Sequence, residues 1–106
     1  INPDFVALIC GEVPTIKFTP PAGPELGFAV GKLIKNNNAV LMMNHGLVTV
    51  GCNLKEALYR TMFIEESAKT VIASITLGKM RYLTGSECNM VDTLPAEAYR
   101  RKLLKK

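Results

Sequence analysis

The 106-residue sequence has no tryptophan and a single histidine, His45. Its three cysteines, Cys10, Cys52 and Cys88, are odd in number and widely spaced. No Cys-x-x-Cys pair occurs, which argues against a zinc ribbon or a dithiol redox motif. Reduced thiols of a cytoplasmic protein are the expectation that follows. No apolar run approaches the roughly 20 residues of a membrane helix, and no basic-then-apolar signal opens the chain. Glycine patterns that cradle phosphate are missing, as is a Gly-x-Ser-x-Gly elbow around Ser67, Ser74 or Ser86. There is no internal repeat or low-complexity tract. Methionine is missing from the start, where Ile1 stands, so the chain is expected to begin inside a longer product or after a cleavage.

What remains is ordinary globular composition, 48% hydrophobic and 21% charged. The length suits one domain spanning residues 1–106, with a modest core. The net charge of +4 is a property of the tail. Arg100, Arg101, Lys102, Lys105 and Lys106 supply five of the 13 basic residues, leaving 8 basic against 9 acidic elsewhere. A nucleic-acid binder spreads its charge over a folded face with aromatics between. A basic helix end, favourable to the helix dipole, fits better, so neither a nucleic acid nor a membrane is expected as partner.

Prolines 3, 14, 20, 21 and 24 make residues 1–24 loop-rich and exclude a long helix or central strand there. The apolar run Phe5–Cys10 is one helical turn or a buried strand. Pro24 then opens a helix whose apolar face is Leu26, Ala29, Val30, Leu33 and Ile34. Asn36-Asn37-Asn38 ends it, because asparagine tolerates turns and left-handed backbone. Ala39–Met43 reads as a buried strand and Leu47–Val50 as a second, with Gly46 permitting a bend between.

Asn53 is an N-cap, with Glu56 three residues on. The helix it starts runs to Leu77, with Gly78 as a left-handed stop. Its expected buried stripe is Leu54, Ala57, Leu58, Thr61, Met62, Ala68, Val71, Ile72 and Ile75. At 1.5 Å per residue it spans about 35 Å, enough to cross a wider sheet than these residues encode. A polar linker after Gly85 and a last helix from Pro95 to Leu104 complete the pattern.

Few residues can carry chemistry. His45 sits in Leu41-Met-Met-Asn-His-Gly-Leu47, at a strand–strand junction where a sheet holds functional side chains rigidly. From spacing alone the favoured reading is a structural histidine satisfied by one hydrogen bond at the core or edge. Catalytic zinc takes three or more protein ligands, and no second histidine exists. Cys52 pairs with nothing at ligand spacing. Glu65 and Glu66 lack the paired group that acid–base work needs. Gly23, Gly27 and Gly31, four apart, suit close helix packing instead.

The segments Pro20-Pro-Ala-Gly-Pro-Glu-Leu26, Ala39-Val-Leu-Met-Met-Asn-His-Gly-Leu-Val-Thr-Val-Gly51 and Leu54-Lys-Glu-Ala57 together resemble the class II aldolase/adducin family. So does the long helix ending in Ala73-Ser-Ile-Thr-Leu-Gly78. The resemblance implies an α/β fold, a fragment of a three-layer α/β/α domain with a largely antiparallel sheet. It implies that His45 is one of three histidine ligands to zinc or another divalent metal. The remaining ligands, a His-x-His pair, the acid–base residue and the phosphate loops of the family have no counterpart here, so no catalytic residue is assigned. A fuculose-phosphate-type aldolase is the implied activity of the parent, with a phosphorylated ketose and dihydroxyacetone phosphate-type compounds as substrates. The chain alone is expected to be silent, as the C-terminal part of such a domain. The family also implies a homotetramer whose sites take a neighbour's tyrosine, for which Tyr99 is the candidate. A non-catalytic adducin-like interaction domain and a ribulose-phosphate 4-epimerase or dehydratase are the alternatives of the same fold.

Overall fold

The computed structural model describes residues 12–104. The run Phe5–Cys10 lies outside them. The elements are β1 (Thr15–Ile16), α1 (Pro24–Ile34), β2 (Ala39–Met42), β3 (Gly46–Thr49), α2 (Leu54–Leu77), α3 (Gly85–Asp92) and α4 (Pro95–Leu104). The sheet order is β1-β2-β3. β1 runs parallel to β2, pairing Thr15 with Leu41 and Ile16 with Met42. β2 runs antiparallel to β3, from Ala39 opposite Thr49 to Met42 opposite Gly46. The described sheet is thus mixed, with one pairing of each kind. Short β1 obeys the proline rule by sitting at an edge.

Both faces of β2 are covered at its start. Ala39 packs with Ile64 of α2, together with Val13 and Leu47. Val40, pointing the other way by strand alternation, is also fully buried, and α1 packs against this strand. Burial stops there: Leu41 and Met43 are exposed and Met42 is half-buried, so only the first two of the five residues expected in a buried strand are buried.

α1 begins with Pro24 at its first turn and Glu25 beside the positive end of the dipole. It ends for a different reason from the expected one. Asn37 turns its side-chain amide back onto the carbonyl of Leu33, 2.8 Å away, adding to the bond that the same oxygen accepts from Asn36 N–H at 3.3 Å. None of Asn36, Asn37 and Asn38 has a positive φ.

α2 starts where expected. Asn53 Oδ1 accepts from Glu56 N at 2.8 Å. The Glu56 carboxylate makes bonds of its own. It accepts from Cys52 N–H at 2.5 Å and from Arg60 Nη2 at 3.1 Å, while Arg60 Nη1 donates to Val50 O at 2.6 Å. Thr49 Oγ1 adds a bond to Ala57 O at 3.0 Å. The end of β3 is thereby clamped to the first two turns of α2. Gly51 makes the approach possible, since a Cβ there would lie 2.8 Å from Ala57 N.

The stripe expected to be buried is largely exposed: Leu54, Leu58, Met62, Ile72 and Ile75 all face solvent. The face turned to the sheet holds buried Glu56, Ile64 and Ser67, with Ala57, Arg60, Thr61 and Val71 half-buried. α2 is apolar on two sides, and three strands cover only one. The expected linker after Gly85 is instead α3. Thr84 and Glu87 form a complete capping box, and Arg81 Nη2 pairs with Glu87 Oε1 at 2.5 Å. This helix starts by capping rather than by an apolar stripe, so periodicity alone misses it.

Candidate metal centre

His45 occupies the tip of the β2–β3 hairpin. Its N–H donates to Met42 O at 3.0 Å, closing a turn over Met43 and Asn44. Asn44 takes the left-handed conformation, φ 62°, which asparagine tolerates because its short amide can bond locally. Gly46 follows at φ 147° while already paired with Met42, a backbone that side chains rarely adopt. These two residues turn the chain within three positions and leave the His45 side chain outside the ladder, exposed.

The segment after β1 then meets it. Met43 N–H donates to Ile16 O at 3.0 Å, fixing the hairpin tip beside residues 17–20. Phe18 stacks on the imidazole, ring centroids 6.0 Å apart and planes 5° from parallel. His45 Nε2 lies 3.2 Å from Thr19 O. A carbonyl only accepts, so Nε2 carries a proton, and the lone pair of the neutral tautomer is then on Nδ1. A backbone carbonyl behind one nitrogen is the usual support of a metal-ligating histidine. His45 therefore fits as one metal donor, oriented from two sides.

It fits as no more than one. Among the described residues no group of three or more His, Cys, Asp or Glu could hold a metal ion. Cys52 is an exposed free thiol whose backbone N–H belongs to the Glu56 clamp. Glu65 and Glu66 are exposed on α2, Glu66 in a surface pair with Lys69 at 3.0 Å. Tyr99 is exposed on α4. A Cβ on Gly27 or Gly31 would meet nothing within 4 Å, so the expected close helix packing is not found there. Phe18 and Thr19 were not singled out by the sequence. An aromatic embedded in a proline-rich segment was the available signal, but separations from His45 of 27 residues for Phe18 and 26 for Thr19 hid the contact.

Residues 1–72 match the family model described as the class II aldolase and adducin N-terminal domain. A 3-oxo-tetronate 4-phosphate decarboxylase of Pectobacterium atrosepticum is 35% identical over 85 residues, 78% of this chain and 38% of that protein. A protein of the same name from Escherichia coli K12 is 33% identical over 85 residues, 78% of this chain and 39% of its own length. Among solved structures, YgbL from Escherichia coli, whose description spans aldolase, epimerase and decarboxylase, superposes with a TM-score of 0.77 at 29% identity. That match covers 87% of this chain and 44% of YgbL. YgbL from Klebsiella pneumoniae superposes with a TM-score of 0.73 at 34% identity, over 85% of this chain and 42% of that one. The chain thus spans well under half the length of the relatives it matches.

Proposed function

This chain belongs to the class II aldolase and adducin family, and from that premise we propose that it is the C-terminal part of a divalent-metal lyase domain. The substrate is a phosphorylated sugar or sugar acid, and the reaction breaks one of its carbon–carbon bonds. His45 is one metal ligand. The observation that carries this is the hairpin tip, where Asn44 and Gly46 push the imidazole outward and Phe18 and Thr19 hold it.

Decarboxylation of a 3-oxo acid and retro-aldol cleavage of a ketose share one difficulty. Each leaves an electron pair that must be delocalised onto a neighbouring carbonyl oxygen. A bound divalent metal, zinc by family resemblance, supplies Lewis-acid stabilisation of that charge. The work of this chain's residues is positional. His45 presents Nδ1 as the donor nitrogen, and the Thr19 carbonyl and Phe18 ring keep it from turning away. The proton donor that both reactions require, and the acceptor that retro-aldol cleavage needs besides, are contributed from outside these residues.

Decarboxylation of a phosphorylated 3-oxo acid is supported by what the sequence relatives are called. Retro-aldol cleavage of a fuculose-1-phosphate-like ketose is the second reading, supported by the shared demand for a metal-stabilised enolate. An adducin-like binding role is disfavoured by the presence of a supported histidine at the ligand position. The same reading makes the whole domain a cytoplasmic homo-oligomer, with exposed Tyr99 available to a neighbouring subunit.

The test uses the polypeptide that carries the whole domain, assayed for carbon dioxide release from 3-oxo-tetronate 4-phosphate and for aldol cleavage of fuculose 1-phosphate. His45→Ala is expected to lower kcat/KM by more than the about 10–100-fold that losing a ligand's supporting residue costs. Undiminished turnover in His45→Ala would overturn the assignment. Cleavage of the ketose alone would select the retro-aldol reading.

A further inference from the structure

Phe18 is a large apolar side chain with no work in the core. β1 ends at buried Ile16, whereas Phe18 is 59% exposed. Its ring lies parallel to the His45 imidazole, centroids 6.0 Å apart, and more than half of its surface stays open among the described residues. We infer that this open aromatic face is a substrate contact that helps to set specificity, with the carbon chain of a phosphorylated sugar acid lying against it. This rests on the reading of His45 as a metal ligand, and three observations support it.

The first is rigidity. The backbone on both sides of Phe18 is tied down. Ile16 O accepts from Met43 N–H at 3.0 Å, and Thr19 Oγ1 donates to Lys17 O at 3.0 Å. Pro20 further confines the Thr19 backbone to extended conformations. The ring is therefore presented from a fixed segment, and a contact made by a fixed group loses little to ordering. The second is reach. Zinc bonds to nitrogen and oxygen are about 2 Å long. A four-carbon chain held at a metal on His45 is thus long enough to meet a ring centred 6.0 Å from the imidazole. The third is chemistry. A phenyl ring has no polar atom to bond the hydroxyl, carboxylate or phosphate groups of such a substrate. It offers an apolar surface with a negative π face, which suits the weakly positive C–H groups of the carbon backbone. A ligand with two anionic ends and little carbon between them gains nothing from it.

The experiment uses the zinc-saturated polypeptide that carries the whole domain and titrates two unreactive probes by isothermal calorimetry. Erythronate 4-phosphate has the four-carbon chain but no keto group, so it undergoes neither decarboxylation nor retro-aldol cleavage. Phosphoglycolate keeps both anionic ends on two carbons. Phe18→Ala is expected to weaken erythronate 4-phosphate about threefold to tenfold, as loss of one aromatic contact does. It should leave phosphoglycolate binding and zinc occupancy unchanged. Phe18→Tyr, which keeps the ring face, should bind both probes as the parent does. The inference is overturned if the parent does not bind erythronate 4-phosphate, or if Phe18→Ala binds it equally well. It is also overturned if Phe18→Ala weakens both probes alike or loses zinc, since the ring then serves only to position His45. A Phe18→Tyr variant no better than Phe18→Ala would overturn it too. Zinc retained in His45→Ala would end the metal reading by itself, while Phe18 is judged on the difference between the two probes.

Discussion

Arg60→Ala should be among the most damaging single changes outside the hairpin tip. The Arg60 side chain is 11% exposed and that of Glu56 4% exposed, so their pair sits essentially out of water. Arg60 serves two acceptors at once, Glu56 Oε1 and Val50 O. Truncation leaves a buried carboxylate without its guanidinium and takes the donor from the carbonyl at the end of β3. Breaking one side of a buried pair costs about 3–5 kcal/mol, because the surviving charge stays desolvated. The slight exposure of Arg60 argues for the lower end. Even about 3 kcal/mol is a large share of the about 5–15 kcal/mol that holds a domain together. It would lower Tm by at least about 12 °C in a chain this small. Urea unfolding followed by circular dichroism measures it, with a fall in midpoint at constant slope marking a true stability change. Lys69→Ala removes an exposed pair with Glu66 and serves as the control, with no measurable shift expected. The reasoning fails if Arg60→Ala unfolds within about 1 kcal/mol of the parent, the range of a surface pair. It also fails if Glu56→Gln/Arg60→Met, which removes both charges while keeping shape, is no less damaging than Arg60→Ala.

Other consequences can be measured on the same chain. Gly51→Ala should destabilise by about 1–3 kcal/mol, since the new Cβ meets backbone at Ala57 N. A wild-type urea midpoint would contradict the close approach. Thr84→Ala should cost α3 its cap, about 0.5–2 kcal/mol, seen as faster amide exchange confined to residues 85–92. The Glu87 carboxyl is held below its usual range by the backbone N–H of Thr84 and by Arg81. Its contribution to α3 is therefore fully present above the ordinary glutamate range and fades as pH falls through the lowered value. Protection of α3 amides relative to their intrinsic exchange rates that is flat from neutral pH to pH about 3 would refute this. Phe18→Ala should broaden or split the imidazole resonances of His45 by removing its stacking partner. With one histidine in the chain, the spectrum assigns itself.

Local signals were legible where one residue type had one physical job. Pro24 marks a helix start by its fixed φ and missing N–H, Asn53 marks one by capping chemistry, and helices begin at both. The strand–turn–strand around His45 was legible because apolar runs and a glycine punctuate it. The face of α2 that would be buried was not legible. Two apolar sides satisfy the same periodicity, and only tertiary packing decides between them. α3 escaped because its polar sequence hides a capping box that periodicity does not weigh. At the candidate centre, His45 could be found but its support could not. Phe18 and Thr19 reach it through the parallel pairing of β1 with β2, a long-range contact invisible to spacing.

The most direct test of the central claim is zinc stoichiometry by mass spectrometry of inductively coupled plasma, on the polypeptide that carries the whole domain. About one zinc per domain, lost in His45→Ala with the fold retained, is the result expected of a catalytic site with three or more protein ligands. Zinc retained at full occupancy in His45→Ala would contradict the assignment of His45 as a ligand.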